Sequence, residues 1–326
     1  MNVPAKLGLY GLGLAVAFGG ALGAGGLVGP LLPDTAGTSG HTGHDGTTGP
    51  TDGAADSATD GESTANAAHT PSGLQISQDG YTLDPVRTPG RAGEEETLAF
   101  RVLGPNGEPV TAFEESHDER MHLIVVGRDM SGYRHVHPEM ARDGTWSIPL
   151  ELDTPGPYRM FADFVPRESG DGLTLGADLT VSGDHEPQDL PAPARTAEVD
   201  GYTVTLDGGL VPGRTNTVTL TVTRDGEEVT DLEPYLGAYG HLVALRAGDL
   251  AYLHVHPEGE PGDGVTEAGP EITFGAQVPS TGDYRLFLDF KHDGEVRTAE
   301  FTMTTADGAG APEDHTDTES DAPHSH

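Results

Sequence analysis

The sequence predicts an all-β chain: two tandem antiparallel β-sandwiches, cupredoxin-like or immunoglobulin-like, after an N-terminal transmembrane helix or signal segment. Three observations carry that reading. Short runs of alternating Val, Thr, Leu, Phe and Tyr are broken by Gly, Pro, Asp and Asn. No helical periodicity follows the first apolar stretch. The middle of the chain states nearly the same sequence twice. A length of 326 residues leaves room for about two domains of ordinary size plus extensions.

The first segment, residues 1–33, carries Lys6 and then no charge until Asp34. Its core, LGLYGLGLAVAFGGALGAGGLVGPLL, is long enough to cross a bilayer as a helix. A secretory signal is the rival, with small residues from Ala21 to Ala24 as a cleavage region. The apolar run continues past that region to Leu32, which favours an uncleaved anchor. In either case everything after Asp34 is expected outside the cell, on a single-pass membrane protein or a secreted one. Residues 34–73 hold Gly, Thr, Ala, Ser and Asp with few large apolar side chains, and read as a disordered linker. Residues 306–326 form a tail of the same acidic character. His41, His44, His69, His315, His324 and His326 are scattered in these two segments, where the reading is of solvated spacers that could at most hold metal weakly.

Repeat 1 spans residues 74–183, and repeat 2 spans 197–305 after a Pro-rich connector at 184–196. GYTLDP, ETLAFRV and GEPVT in the first copy answer to GYTVTL, TVTLTV and GEEVT in the second. MHLIVVGRDMSGYRHVHPE, from Met121, aligns without a gap on GHLVALRAGDLAYLHVHPE, from Gly240. PGPYRMFADF then matches TGDYRLFLDF. A copy of this length suits one sandwich or Greek-key barrel. Cysteine is absent and Trp146 is the single tryptophan, so the antibody-type signature is missing.

Composition excludes several functions. Without cysteine there is no disulfide framework, no thiolate zinc site and no blue-copper centre. A formal net charge of −36 repels phosphate backbones and anionic lipids, which argues against nucleic acid, and it draws cations to the surface. No nucleophile elbow, phosphate loop or HExxH motif appears, so a metal-dependent hydrolase or oxidase, which needs an open coordination position, is not the expected class.

The repeated HVHPE block carries the chemistry. In a strand, His135 and His137 point the same way, about 6.5–7 Å apart along the backbone. A turn near Asp129 and Met130 folds HLIVVG back on YRHVHP. If Val126 faces Tyr133, His122 lies opposite His137, where paired side chains approach to about 4.5–5.5 Å. A slip of one residue would turn His122 to the other face. The same spacing recurs at His241, His254 and His256. Asp163 and Asp289 stand among aromatics in the YRMFAD and YRLFLD strands, where each needs a partner to offset burial. Imidazoles with a carboxylate suit copper or zinc rather than calcium or magnesium. The competing account is a metal-free network of histidine and aspartate in a structural or adhesive surface module. Glu139 and Glu258 read as solvated strand ends, Met121, Met130, Met140 and Met160 as packing, and His117, His185 and His292, which lack counterparts, as surface residues.

At these residues, HVHPE, PGPYRMFADF and TGDYRLFLDF together with the anchor-like start, the chain resembles bacterial membrane-anchored or secreted proteins described as heavy-metal-associated, with tandem cupredoxin-like domains similar to YtkA-like modules. The resemblance implies a copper-leaning role with His122, His135, His137 and Asp163, and their counterparts His241, His254, His256 and Asp289, as ligands. The expectation is thus a non-enzymatic extracytoplasmic protein that holds one metal ion in each repeat and buffers it or delivers it to a transporter.

Overall fold

The computed structural model describes residues 70–306, apart from the side chains of His254 and His256. The expected anchor, the tail and all but the end of the expected linker lie outside the described residues, with their six histidines. Within the described residues there is no helix, and hence none long and apolar enough to cross a membrane.

Repeat 1 holds β1 (Ser77–Gln78), β2 (Tyr81–Arg87), β3 (Glu95–Leu103), β4 (Phe113–Glu114), β5 (His122–Gly127), β6 (Arg134–Val136), β7 (Glu139–Met140), β8 (Thr145–Glu151), β9 (Gly156–Pro166) and β10 (Leu173–Val181). They form two antiparallel sheets, ordered β1-β2-β3-β8-β7 and β10-β9-β5-β6, with β4 on β9. Repeat 2 holds β11 (Thr196–Val199), β12 (Tyr202–Gly208), β13 (Thr215–Arg224), β14 (Glu227–Glu228), β15 (Gly240–Arg246), β16 (Tyr252–Pro257), β17 (Glu271–Gln277), β18 (Asp283–His292) and β19 (Glu295–Thr304). Its strands run as one continuous antiparallel path, β11-β12-β13-β17-β16-β15-β18-β19, with β14 beside β13. The all-β tandem sandwich is therefore the observed architecture.

Burial along each strand follows from its pattern. In β13, TNTVTLTVTR, the Thr side faces outward while Val218, Leu220 and Val222 enter the core of repeat 2. That is the period-two signature of a sheet with one wet face. The sequence HLIVVG in β5 has no polar alternation, and every residue of it is buried. Leu123 and Val125 join Phe100, Trp146 and Met160 in the core of repeat 1. Ile124 and Val126 point the other way, into a third cluster with Met130, Tyr133 and Phe161.

That third cluster is shared. Its other half is Val243, Leu245, Leu250, Tyr252 and Phe287 of repeat 2. The face of β5, β6 and β9 thus packs on the matching face of β15, β16 and β18, and both repeats belong to one compact unit. Tyr133 stacks on Phe287 with ring centroids 4.0 Å apart and planes 5° from parallel. Burying one such side chain contributes about 1.5–3 kcal/mol, so ten of them make a firm joint. The two repeats, linked through the Pro-rich connector, thus pack face to face.

The chain enters this seam at its N-terminal side. The amide of Tyr252 donates to the Ser72 carbonyl at 3.0 Å, and Arg159 donates to the Gly73 carbonyl through Nε at 3.1 Å and Nη2 at 2.6 Å. Gly73 has φ +74°, and a Cβ there would lie 2.6 Å from the Phe161 ring and 2.9 Å from the Tyr252 Cβ, so only glycine fits the slot.

Candidate metal centre at the seam

Local sequence fixes the hairpin that builds the site. Asp129 Oδ1 accepts the Ser131 amide at 3.1 Å and its hydroxyl at 2.7 Å, and Met130 takes a left-handed φ of +67°. This Asx-type turn folds the chain back within a few residues. The resulting register pairs Leu123 with Val136, Ile124 with His135 and Val125 with Arg134. It is the register that the histidine argument required. His122, His135 and His137 therefore share one face, and that face is the seam.

Three ring nitrogens converge there. His122 Nδ1 lies 3.2 Å from His135 Nε2 and 3.2 Å from His137 Nε2. The ligating nitrogens of the three rings all fall within 4.8 Å of one another. Three imidazoles bound tetrahedrally at 2.0–2.1 Å would have nitrogens about 3.3 Å apart, so the observed separations match a common ion.

Hydrogen bonds on the far side of two rings decide where their protons sit. His122 Nε2 lies 2.9 Å from the carbonyl of Ser116, which can only accept, so Nε2 carries a hydrogen and Nδ1 of the neutral ring is an acceptor. His135 Nδ1 lies 2.8 Å from Asp289 Oδ2, which places a hydrogen on Nδ1 and makes Nε2 of the neutral ring an acceptor. In the neutral rings these two acceptor nitrogens face each other at 3.2 Å. Such a contact repels unless a cation stands between them. A hydrogen bond from ligating histidine to carbonyl or carboxylate is also the usual support of a metal site.

Electrostatics agree. Burial, reinforced by His135, His122 and His241, pulls His137 down to about 3, so its ring is neutral at physiological pH. Burial also pulls His241 down to about 3, against the raising effect of its bond to the Tyr235 carbonyl, with His135, His117 and His122 adding to the lowering. His241 Nε2 donates to the carbonyls of Tyr235 at 2.9 Å and Leu236 at 3.1 Å. A cavity of about 10 Å³, roughly one water in size, lies between His117, His122, His135 and His241.

The remaining expectations divide. Asp289 is buried and is bonded across the seam to His135. Thr298 Oγ1 donates to its other oxygen at 2.6 Å. Asp163 is half-buried, and accepts the Tyr252 hydroxyl of repeat 2 at 3.4 Å. Neither aspartate lies among the converging ligand atoms. His254 has its backbone opposite Val243, and that of His256 is opposite Gly275. Glu139 and Glu258 are exposed, and Met121, Met130 and Met160 pack in apolar clusters, with Met140 at the edge of one.

Two histidines correct the surface reading. His117 is half-buried, with its ring centroid 5.4 Å from His241 and 6.2 Å from His122. Lack of a counterpart concealed it, because repeat 2 has Leu236 in the same left-handed turn, at φ +55° against +51°. His292 is buried, 2.7 Å from the Tyr202 hydroxyl and 3.0 Å from Asp231 Oδ1. Its neighbours come from distant strands, which spacing does not reveal. His185 is exposed, as expected.

A family model described as a domain of unknown function, DUF8832, matches residues 76–183 and again 197–307. No curated protein matches the chain. Among solved structures, the Escherichia coli adhesin FdeC is 14% identical over 71% of this chain and 65% of its own, with a TM-score of 0.24. A putative membrane anchored protein from Corynebacterium diphtheriae is 12% identical over 72% of this chain and 61% of its own, with a TM-score of 0.21. Invasin, a bacterial integrin-binding protein, is 15% identical over 72% and 41%, also at 0.21. The chain thus spans less than two thirds of each of these structures.

Proposed function

We propose that this chain, which belongs to the DUF8832 family through two copies of its domain, is an extracytoplasmic binding protein for copper or zinc that buffers the ion or passes it to a membrane transporter. One observation carries the reading: two histidine nitrogens whose hydrogens are committed elsewhere face each other at 3.2 Å, with a third ring beside them. Nitrogen donors without thiolate favour Cu(II) or Zn(II) over calcium and magnesium. A net charge of −36 raises the local cation concentration. The sequence resemblance to heavy-metal-associated proteins points the same way, and the apolar start of the chain supports a position at the outer face of a membrane. The role is binding, not catalysis.

The test is calorimetric titration of the full chain with Zn(II) and Cu(II). Uptake is expected to fall by one ion when His135 and His137 are replaced by alanine. A second ion is expected to be lost with His254 and His256, which repeat the same spacing. Unchanged uptake in both variants would end the metal reading.

A second reading has its own observation. With a second proton on Nε2, His135, 5% exposed beside the 3%-exposed Asp289, would donate to His122 Nδ1 as well as to Asp289, giving a metal-free network in a structural or adhesive surface module. Absence of uptake, together with a lower Tm in the H135A variant, would favour it.

A further inference from the structure

We infer that the ion site belongs to neither repeat alone: Asp289 of repeat 2 is the positioning residue for His135 of repeat 1, so capture of the ion and docking of the repeats are one coupled equilibrium. The inference rests on the metal reading above and adds a regulation to it. The three convergent nitrogens all come from repeat 1. The group that sets the tautomer and the orientation of His135 comes from the far side of the seam, 154 positions along the chain.

The geometry makes this support rigid. Asp289 sits in β18, in register opposite His241 of β15, so its backbone is fixed by a ladder within repeat 2. Thr298 Oγ1 holds one carboxylate oxygen at 2.6 Å and leaves the other for His135. Two residues away, Phe287 stacks on Tyr133, which itself is two residues from His135. Undocking the repeats would therefore remove the stacked pair and the His135 acceptor together. His135 Nδ1–H would then turn to water, and the ring would lose the orientation that aims Nε2 at the ion. By linkage, whatever affinity docking adds to ion binding, ion binding returns to docking. A bound ion acts as a staple on the seam although all three of its described ligands lie on one side.

The experiment uses the full chain and Zn(II), with affinity read by competition against a chelator and seam order read by amide hydrogen exchange. D289N keeps one acceptor oxygen, which can still serve His135 while the amide NH2 turns to the Thr298 hydroxyl, but it loses the charge. It is expected to weaken Zn(II) binding by roughly ten- to a hundredfold and to shift the visible absorption of the Co(II)-substituted protein, which a purely structural role would leave alone. In the wild type, Zn(II) is expected to slow exchange in both β5 and β15. T298V, which frees the carboxylate without removing it, is expected to weaken binding less, and serves if D289N does not fold. Wild-type affinity in D289N and T298V, with zinc-dependent protection confined to β5, would overturn the inference while leaving the metal site in place. Undiminished uptake in the H135A/H137A variant would instead remove the seam site on which the inference rests, which separates the two failures.

Discussion

The two repeats share HVHPE letter for letter, yet they use it differently. In repeat 2 the segment lies in one strand, Tyr252–Pro257, that pairs with β15 on one side and β17 on the other, so the two layers run into a single path. In repeat 1 the same letters are split between β6, which pairs with β5, and β7, which pairs with β8, and the sheets stay separate. An identical pentapeptide therefore does not set its own strand; the neighbouring edges do. The aspartates diverge in the same way. Asp289 is buried between Thr298 and His135, whereas Asp163, at the matching position opposite Thr174, lines a cavity of about 260 Å³ with Glu119, Arg120 and His122.

The comparison breaks most severely at the residues the repeats contribute equally. Phe161 and Phe287 occupy matching positions, are both fully buried, and both belong to the shared cluster. Truncating either to alanine is expected to cost about 3–5 kcal/mol, read by denaturant unfolding. A loss confined to one repeat's transition would show that the repeats do not unfold as one unit. The aspartates sharpen the contrast. D289A strands the buried His135 Nδ1–H and is expected to cost about 1–3 kcal/mol, measurable as a lower midpoint. D163A, at a half-buried position, is expected to cost less than D289A, at a buried one. Equal costs would mean that the seam does not distinguish the two carboxylates.

The smallest effect is acid sensitivity in metal-free buffer. His241 is held to about 3 by burial, below the ordinary value near 6.5 that it regains on unfolding. The unfolded chain thus binds more protons between those limits, and stability is full above pH 6.5 and falls as the pH drops through that window. The slope from this one group is at most about 1.4 kcal/mol per pH unit. Thermal melts from pH 7 to pH 5 are expected to show the decline, and H241N to reduce it, with His137, also held to about 3, supplying the remainder. An unchanged slope in H241N would move the acid sensitivity to other groups.

Much of the fold was legible. Alternation in TNTVTLTVTR announced a half-buried strand, and Asp129 with Met130 announced the turn that sets the register of His122 against His135 and His137. The seam was not read, although a trace of it was printed. HLIVVG and HLVALR are apolar at every position up to their ends, which a sandwich with one solvated face does not need. Continuous apolarity on short antiparallel strands signals burial on both sides, and the second side here is the other repeat. The pairing of His135 with Asp289 lay beyond such reasoning, because it depends on how two surfaces dock. His117 was missed for a related reason: its importance comes from proximity to His241, and a comparison of the copies shows only that Leu236 replaces it.

The glycine at position 73 gives the joint a mechanical character. The backbone leading out of the folded unit is clamped where Ser72 meets Tyr252 and Gly73 meets Arg159, between the repeats rather than at the outer end of either. Force arriving from the N-terminal direction is borne first by that clamp, which grips one strand from each half. A pull on the chain ahead of Ser72 would thus load the joint before either repeat.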